Sequence, residues 1–370
     1  MARGFLLLIM CKLLTMKKYF TTLTFLICSS LSLTLWADNY TADQQKKIKQ
    51  IQQSVHHDLM VGDIEHARNQ LDEAAGNFHS EEIELAIIQT LMQAGEYRHA
   101  LSAAAHTQAE HQDFSDATLF YAWLLAIGGQ TQPAKNLLSA SLESHPNSDL
   151  KALLTQINDN QLNANAFTSA NIQLGPITDT KSLINNKFLA SGIIIDATHI
   201  IASRVSLAKN KQFFMRNCLG RIFKAHIDET FTDAYLARLI IENPAEKINP
   251  TEIIDKTPFP GTPIYSVGFT HDAKPNWPQL HIDILGSPVA GAENMYALNA
   301  QNIDDGTGIY NLSGLLIGVV VSDRSTNRKV RMLVSDVIKN DALKSAHPRI
   351  AADQVYENAL QTSVQLFADN

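Results

Sequence analysis

From Thr41 to about Ile157 apolar residues recur three and four positions apart among Ala, Leu, Gln and Glu, the period of helices that bury one stripe. The period stops between Asn158 and Thr180, where Asn158, Asp159, Asn160, Gln161, Asn163, Asn165 and Asn171 make a polar stretch, so a domain boundary is placed there. Beyond it come short β-branched runs, Gly192 to Ile195, His199 to Ala202, Leu236 to Ile241, Pro263 to Phe269 and Leu315 to Val321. Many short strands with turns between them predict a sandwich or barrel. A last helical period, about Asp353 to Phe367, predicts a closing helix.

The N-terminus has a different pattern. Met16, Lys17 and Lys18 lead into an almost uncharged run from Phe20 to Leu35 that ends at Trp36 and Ala37, the layout of a secretory signal. A second apolar patch, Phe5 to Met10, precedes it, so Met16 is read as the true start. The run is shorter than the roughly 20 residues a spanning helix needs, and bulky Ile27 before Cys28 disfavours lipidation. The expected divisions are a signal peptide at 1–37, helical repeats at 38–160, a linker at 161–182, a β domain at 183–345 and a C-terminal helix at 346–370. Export, to a bacterial periplasm, is the expected location, with membrane contact only if the signal stays uncleaved.

Composition narrows the partners. With 370 residues, 45% of them hydrophobic and 18% charged, the chain can build one large or two ordinary cores. Cleavage after residue 37 removes Arg3, Lys12, Lys17 and Lys18 and no acid, leaving 26 basic against 37 acidic residues, a balance of −11. That disfavours nucleic acid or an anionic membrane as the main partner. Cys11 and Cys28 leave with the signal, so Cys218 has no intramolecular disulfide partner.

Within the helical half, Gly62 to Ala67, Gly95 to Ala100 and Gly129 to Ala134 repeat one pattern, with the glycines 33 and 34 residues apart. Gly62, Gly95 and Gly129 fall in the turn between two helices, and Ala67, Ala100 and Ala134 fall where the helices cross and only small side chains fit. With Pro146 ending the third unit, these roughly 115 residues resemble the tetratricopeptide repeat. The resemblance implies a concave face that binds a peptide or protein.

Three stretches follow in order in the β half, Ala190 to Ile195, Gly261 to Phe269 and Gly306 to Val319. On them the β half, from about Asn186 to Leu343, resembles the trypsin-like (chymotrypsin-fold) serine proteases, particularly the exported bacterial branch related to the HtrA group. It implies a multidomain α + β chain, with an α-helical repeat domain followed by an all-β double barrel and a C-terminal helix. Catalysis in that family needs a nucleophile, an imidazole base, an orienting carboxylate and backbone amides for the oxyanion. The base position is held by Arg204 or Val205, depending on a one-residue choice of alignment, the carboxylate position by Tyr235 and the nucleophile position by Asp305. Asp304, Gly306, Thr307 and Gly308 make up the rest of the former oxyanion turn.

Other chemistry is weaker. Asp233 could replace the orienting carboxylate only if the register slipped, and Thr307 stands two residues late for a nucleophile. His199 lies on a strand ahead of the base position. His226, His271 and His281 stand singly, and His56 and His57 head the helical half. No metal ligand set and no cofactor motif is read. The expected function is that of a non-catalytic protease-like adaptor or scaffold, with protein or peptide partners held by the helical repeats. The alternatives are an active trypsin-like endopeptidase with a variant or misaligned site, and an unrelated β-barrel that binds a small ligand.

Overall fold

The structure is a computed structural model that describes residues 40–167, 172–179, 183, 186–207, 212–217, 219–243, 251–254, 259–270, 275–292, 295–298, 303–322, 329–332 and 348–369. The expected signal, Met16, Cys218 and His271 lie outside them. No helix among the described residues is long and apolar enough to cross a membrane.

Among the described residues, seven helices come first: α1 (Ala42–Val61), α2 (Ile64–Ala75), α3 (Glu81–Gln93), α4 (Tyr97–Glu110), α5 (Ser115–Ile127), α6 (Thr131–Ser144) and α7 (Ser148–Asn158). The first six pair as three hairpins, each turning on one of the repeated glycines. Gly62, Gly95 and Gly129 have φ of 81°, 78° and 81°, the left-handed region that glycine enters without a steric cost. Each donates its N–H to the carbonyl three residues back, and the next residue donates to the one five back. This double bond pattern caps the last carbonyls of a helix. Ala67, Ala100 and Ala134 are fully buried at the start of α2, α4 and α6. The end of α7 uses the same cap with Asn160 in place of glycine, at φ 54°.

The remainder forms two closed six-stranded antiparallel barrels. The first comprises β1 (Phe188–Ile194), β2 (His199–Ser203), β3 (Gln212–Asn217), β4 (Ile222–Ile227), β5 (Leu236–Ile241) and β12 (Ser363–Ala368), and runs β1-β12-β3-β4-β5-β2. The second comprises β6 (Pro263–Gly268), β7 (Gln279–Pro288), β8 (Met295–Leu298), β9 (Gly308–Tyr310), β10 (Leu316–Ser322) and β11 (Lys329–Met332), in the order β10-β11-β8-β7-β6-β9. A single turn, α8 (Arg204–Leu207), follows β2, and α9 (Ala352–Thr362) precedes β12. The chain thus has the expected architecture of a helical domain followed by a double barrel with a helix near its C-terminal end.

The sequence reading of the last segment needs one correction. The closing helix does not run to Phe367 but ends at Thr362, and residues 363–368 form the buried strand β12, paired with β1 and β3. The β domain therefore does not end near residue 345. Ser363 and Gln365 alternate with the apolar Val364 and Leu366 at the period of a strand, and both are 1% exposed. Gln365 accepts bonds of 2.9 and 2.7 Å from the buried Arg216 guanidinium and donates to Asn276.

The repeat turns rest on the barrels. A β-carbon on Gly62 would lie 2.6 Å from Arg221 of the β3–β4 turn, one on Gly95 2.9 Å from Gln361 of α9, and one on Gly129 2.6 Å from Leu280 of β7. Arg221 donates to the Gly62 carbonyl and Gln361 to that of Gly95. Tyr97 meets Tyr356 edge-on with ring centroids 4.5 Å apart, and Phe120 stacks on Trp277. One hydrophobic core accordingly runs from the helical hairpins through α9 into the second barrel.

The segment expected as a linker is partly docked. Leu174, Ile177 and Thr178 are buried. Gln89 of α3 donates to the Gly175 carbonyl, and Gln93 both donates to the Ile177 carbonyl and accepts from its N–H.

Candidate functional site

The three positions of the expected triad meet where the barrels face each other. Strand β2 pairs with β5 so that Ser203 stands opposite Leu236, and Arg204 N–H donates 2.8 Å to the Tyr235 carbonyl. The Arg204 side chain turns back along the first barrel, with Nε on the Leu236 carbonyl and a terminal nitrogen on that of Phe231. It therefore ties α8 to the chain leading into β5. Val205 and Tyr235 are half-buried, and neither is an imidazole.

From the second barrel, the turn Asp304 to Gly308 brings Asp305 to this place. Its carboxylate accepts hydrogen bonds from Ser206 at 2.7 Å and Ser203 at 3.3 Å on one oxygen, and from Ser322 at 2.7 Å on the other. Ser203 and Ser206 belong to the first barrel and its α8 turn, whereas Ser322 ends β10 of the second. Asp305 also joins the barrels through its backbone, since its carbonyl accepts the Ser191 N–H of β1 at 3.0 Å. Gly306 allows this approach. At φ 82° any side chain is strained, and a β-carbon would lie 1.8 Å from the Ser191 carbonyl oxygen.

Each serine hydroxyl has one proton, and all three donate to the Asp305 carboxylate. A carboxylate repels an oxyanion that forms beside it. Thr307 is 2% exposed, and its Oγ1 fills the space a β-carbon on Gly268 would need, 2.2 Å away. Asp304 is half-buried beside it, and Gly308 opens β9 against Ile193.

The remaining candidates are placed elsewhere. Asp233 caps its own turn, accepting the N–H groups of Tyr235 and Leu236. His199 bonds Asp196 at 2.8 Å at the far end of β2, about 13 Å along the strand from Ser203 at the usual rise per residue. His226 faces Glu242 at 3.3 Å. His281 lies on β7, where burial holds its imidazole below the usual range. No spacing in the sequence marks Ser203, Ser206 and Ser322, which come from a strand end, a one-turn helix and another strand end.

A second concavity lies in the helical half. A groove of about 710 Å³ is bounded by α1, α3 and the start of α5, with Ile172, Gln173 and Ile177 along one side. Its apolar lining includes Val55, Leu59, Leu85 and Phe120, and Phe114 at its edge is 48% exposed. Glu81, Glu82 and Asp116 supply acid, and His56 lies at the rim, while Lys and Arg are missing from the lining. Burial, opposed by a bond from the Ala117 N–H and assisted by Asp116, Glu82 and Glu84, pushes the Glu81 carboxyl up to about 7.

No protein-family model matches the chain, and no curated protein matches it. Among solved structures, the MamO protease domain from Magnetospirillum magneticum is 18% identical and covers 42% of this chain and 88% of its own, with a TM-score of 0.34. Deg5 is 17% identical over 40% of this chain and 78% of its own, at a TM-score of 0.32. The HtrA-type protease AlgW, solved with a tripeptide, is 15% identical over 41% of this chain and 56% of its own, at a TM-score of 0.33.

Proposed function

We propose that this chain is an exported protease-like protein without proteolytic activity, whose tetratricopeptide-type repeats hold an extended peptide or protein partner, so that it serves as an adaptor or scaffold in the cell envelope. The observation that carries the reading is the carboxylate of Asp305, bonded by Ser203, Ser206 and Ser322 where a nucleophile would stand. With Arg204, Val205 and Tyr235 in place of an imidazole and its partner, the interbarrel turn works as a clasp and not as a site of bond cleavage. For the binding half of the reading, the support is the groove across α1, α3 and α5. The chain's own Ile172, Gln173 and Ile177 already line it, and Gln89 and Gln93 bond backbone groups of Gly175 and Ile177. Side-chain amides reading a peptide backbone in this way are what an extended partner would need.

Incubating the purified full chain with a fluorophosphonate probe tests the non-catalytic part. No labelling is expected. Labelling that disappears on changing one serine or threonine between residues 180 and 345 would establish the endopeptidase alternative.

A further inference from the structure

The start of α3 and the end of α4 lie side by side in the second hairpin, and four side chains with metal-binding chemistry gather there. His79 precedes the N-cap Ser80, Glu84 lies in the first turns of α3, His106 sits near the end of α4, and His111 is its C-cap residue. His79 Nδ1 is 2.7 Å from Glu84 Oε1. One donor atom each from His79, Glu84 and His106 lies within 4.8 Å of the other two. On the other side of the carboxylate, His111 Nε2 is 3.6 Å from Glu84 Oε2. That is too long for a hydrogen bond, and both atoms are buried without a hydrogen-bond partner. The His111 residue is only 8% exposed, so water does not easily reach the pair.

A hydrogen-bonded His79–Glu84 pair accounts for two of these four groups. It leaves His106 beside them and the Glu84–His111 face unsatisfied. We propose that His79, Glu84 and His106 bind a divalent transition-metal ion of the zinc class, with His111 steadying the second carboxylate oxygen of Glu84. Two imidazoles and a carboxylate suit such an ion, whereas calcium and magnesium favour all-oxygen sets. Bonds of roughly 2.0–2.2 Å draw tetrahedral ligands to about 3.4 Å from one another. Closing from at most 4.8 Å falls to His106, the exposed member of the three, whose ring stacks on that of His79. A histidine bonding the far oxygen of a carboxylate ligand is the kind of outer-shell contact that orients a site.

Three protein ligands leave one tetrahedral position for water or an outside group, on the solvent side marked by His106. The ion would clip the entry of α3 to the exit of α4. His111 in turn stands edge-on to Phe114 at the mouth of the groove, with ring centroids 6.0 Å apart.

The test uses the full chain, stripped with a chelator and titrated with zinc ion alone by calorimetry, alongside thermal melts followed by circular dichroism. One tight ion per chain and a raised melting temperature are expected. His106→Ala should keep the metal-free melting temperature and lose more than a hundredfold in affinity. Glu84→Gln should lose as much, and His111→Ala about 10–100-fold. Failure to bind zinc at micromolar concentration would overturn the proposal. So would equal affinity in His106→Ala and Glu84→Gln, which would place the ion on other histidines among the chain's 13.

Discussion

Ser206 donates a 2.7 Å hydrogen bond to Asp305 across the junction of two barrels. Ser203 of the first barrel and Ser322 of the second bond the same carboxylate. Replacing Asp305 with alanine removes the shared acceptor of three hydroxyls. Hydrogen bonds to a charged group contribute roughly 1.5–3 kcal/mol, and Asp305→Ala is expected to lower unfolding free energy by about that much in urea titrations.

Asp305→Ser restores the hydroxyl residue type and nothing else. With no imidazole bonded to this turn among the described residues, it is expected to stay unlabelled by a fluorophosphonate probe. Labelling of this single variant would show that a base exists in the cleft after all.

Gln93 is fully buried and bonds both the Leu59 carbonyl and the two backbone groups of Ile177. Gln93→Leu keeps the bulk and loses all three bonds, leaving buried backbone groups unpaired. A loss of about 2 kcal/mol is expected, together with faster proteolytic nicking between residues 168 and 182. Unchanged nicking would mean that the docked segment is held by packing alone.

The Glu81 carboxyl titrates near 7 in the fold against its usual value of 4.5. A raised folded pKa gives stability that is full below 4.5 and is lost as pH rises through 7. Glu81→Gln keeps an acceptor for the Ala117 N–H without the charge, so it should be more stable than the parent at pH 8 and equal to it near pH 4. One unit is worth about 1.4 kcal/mol, and solvent reaching the groove side reduces the expected gain at pH 8 to ~1–2 kcal/mol. Melting temperatures across that range read the difference. A gain that is the same at both ends would remove ionisation as its cause.

Gln365→Leu should be far more harmful than its apolar strand position suggests. It strips two short bonds from the Arg216 guanidinium, which is 1% exposed. A cost of about 3 kcal/mol is expected. Equilibrium unfolding of the purified variant measures it.

The hairpins were legible because a left-handed turn admits few residues, so Gly62, Gly95 and Gly129 stand out at a fixed interval. Asn160, which makes the same cap, was read only as part of a polar stretch. The strands recognised in the sequence were those with continuous apolar runs, such as β1, β2 and β10. Strand β7 escaped because Ile282 and Ile284 are exposed while Gln279 is buried, reversing the usual sign of the pattern. Strand β12 escaped because Arg216 and Asn276, far away in sequence, satisfy its inward Gln365. Arg204, Tyr235 and Asp305 could be singled out by their place in ordered motifs. The serines that bind Asp305 could not, since only the meeting of two barrels makes them neighbours. His79, Glu84 and His106 join by the same logic across a helical hairpin, with no short spacing to mark them.

Strand β12 also sets an order of assembly. The second barrel is complete once β11 has been made, but the first, though begun earlier, has an open seam between β1 and β3 until β12 arrives. Until then its interior is exposed along two unpaired edges. During synthesis the later barrel can close before the earlier one, and the last strand acts as the latch that ends the vulnerable interval.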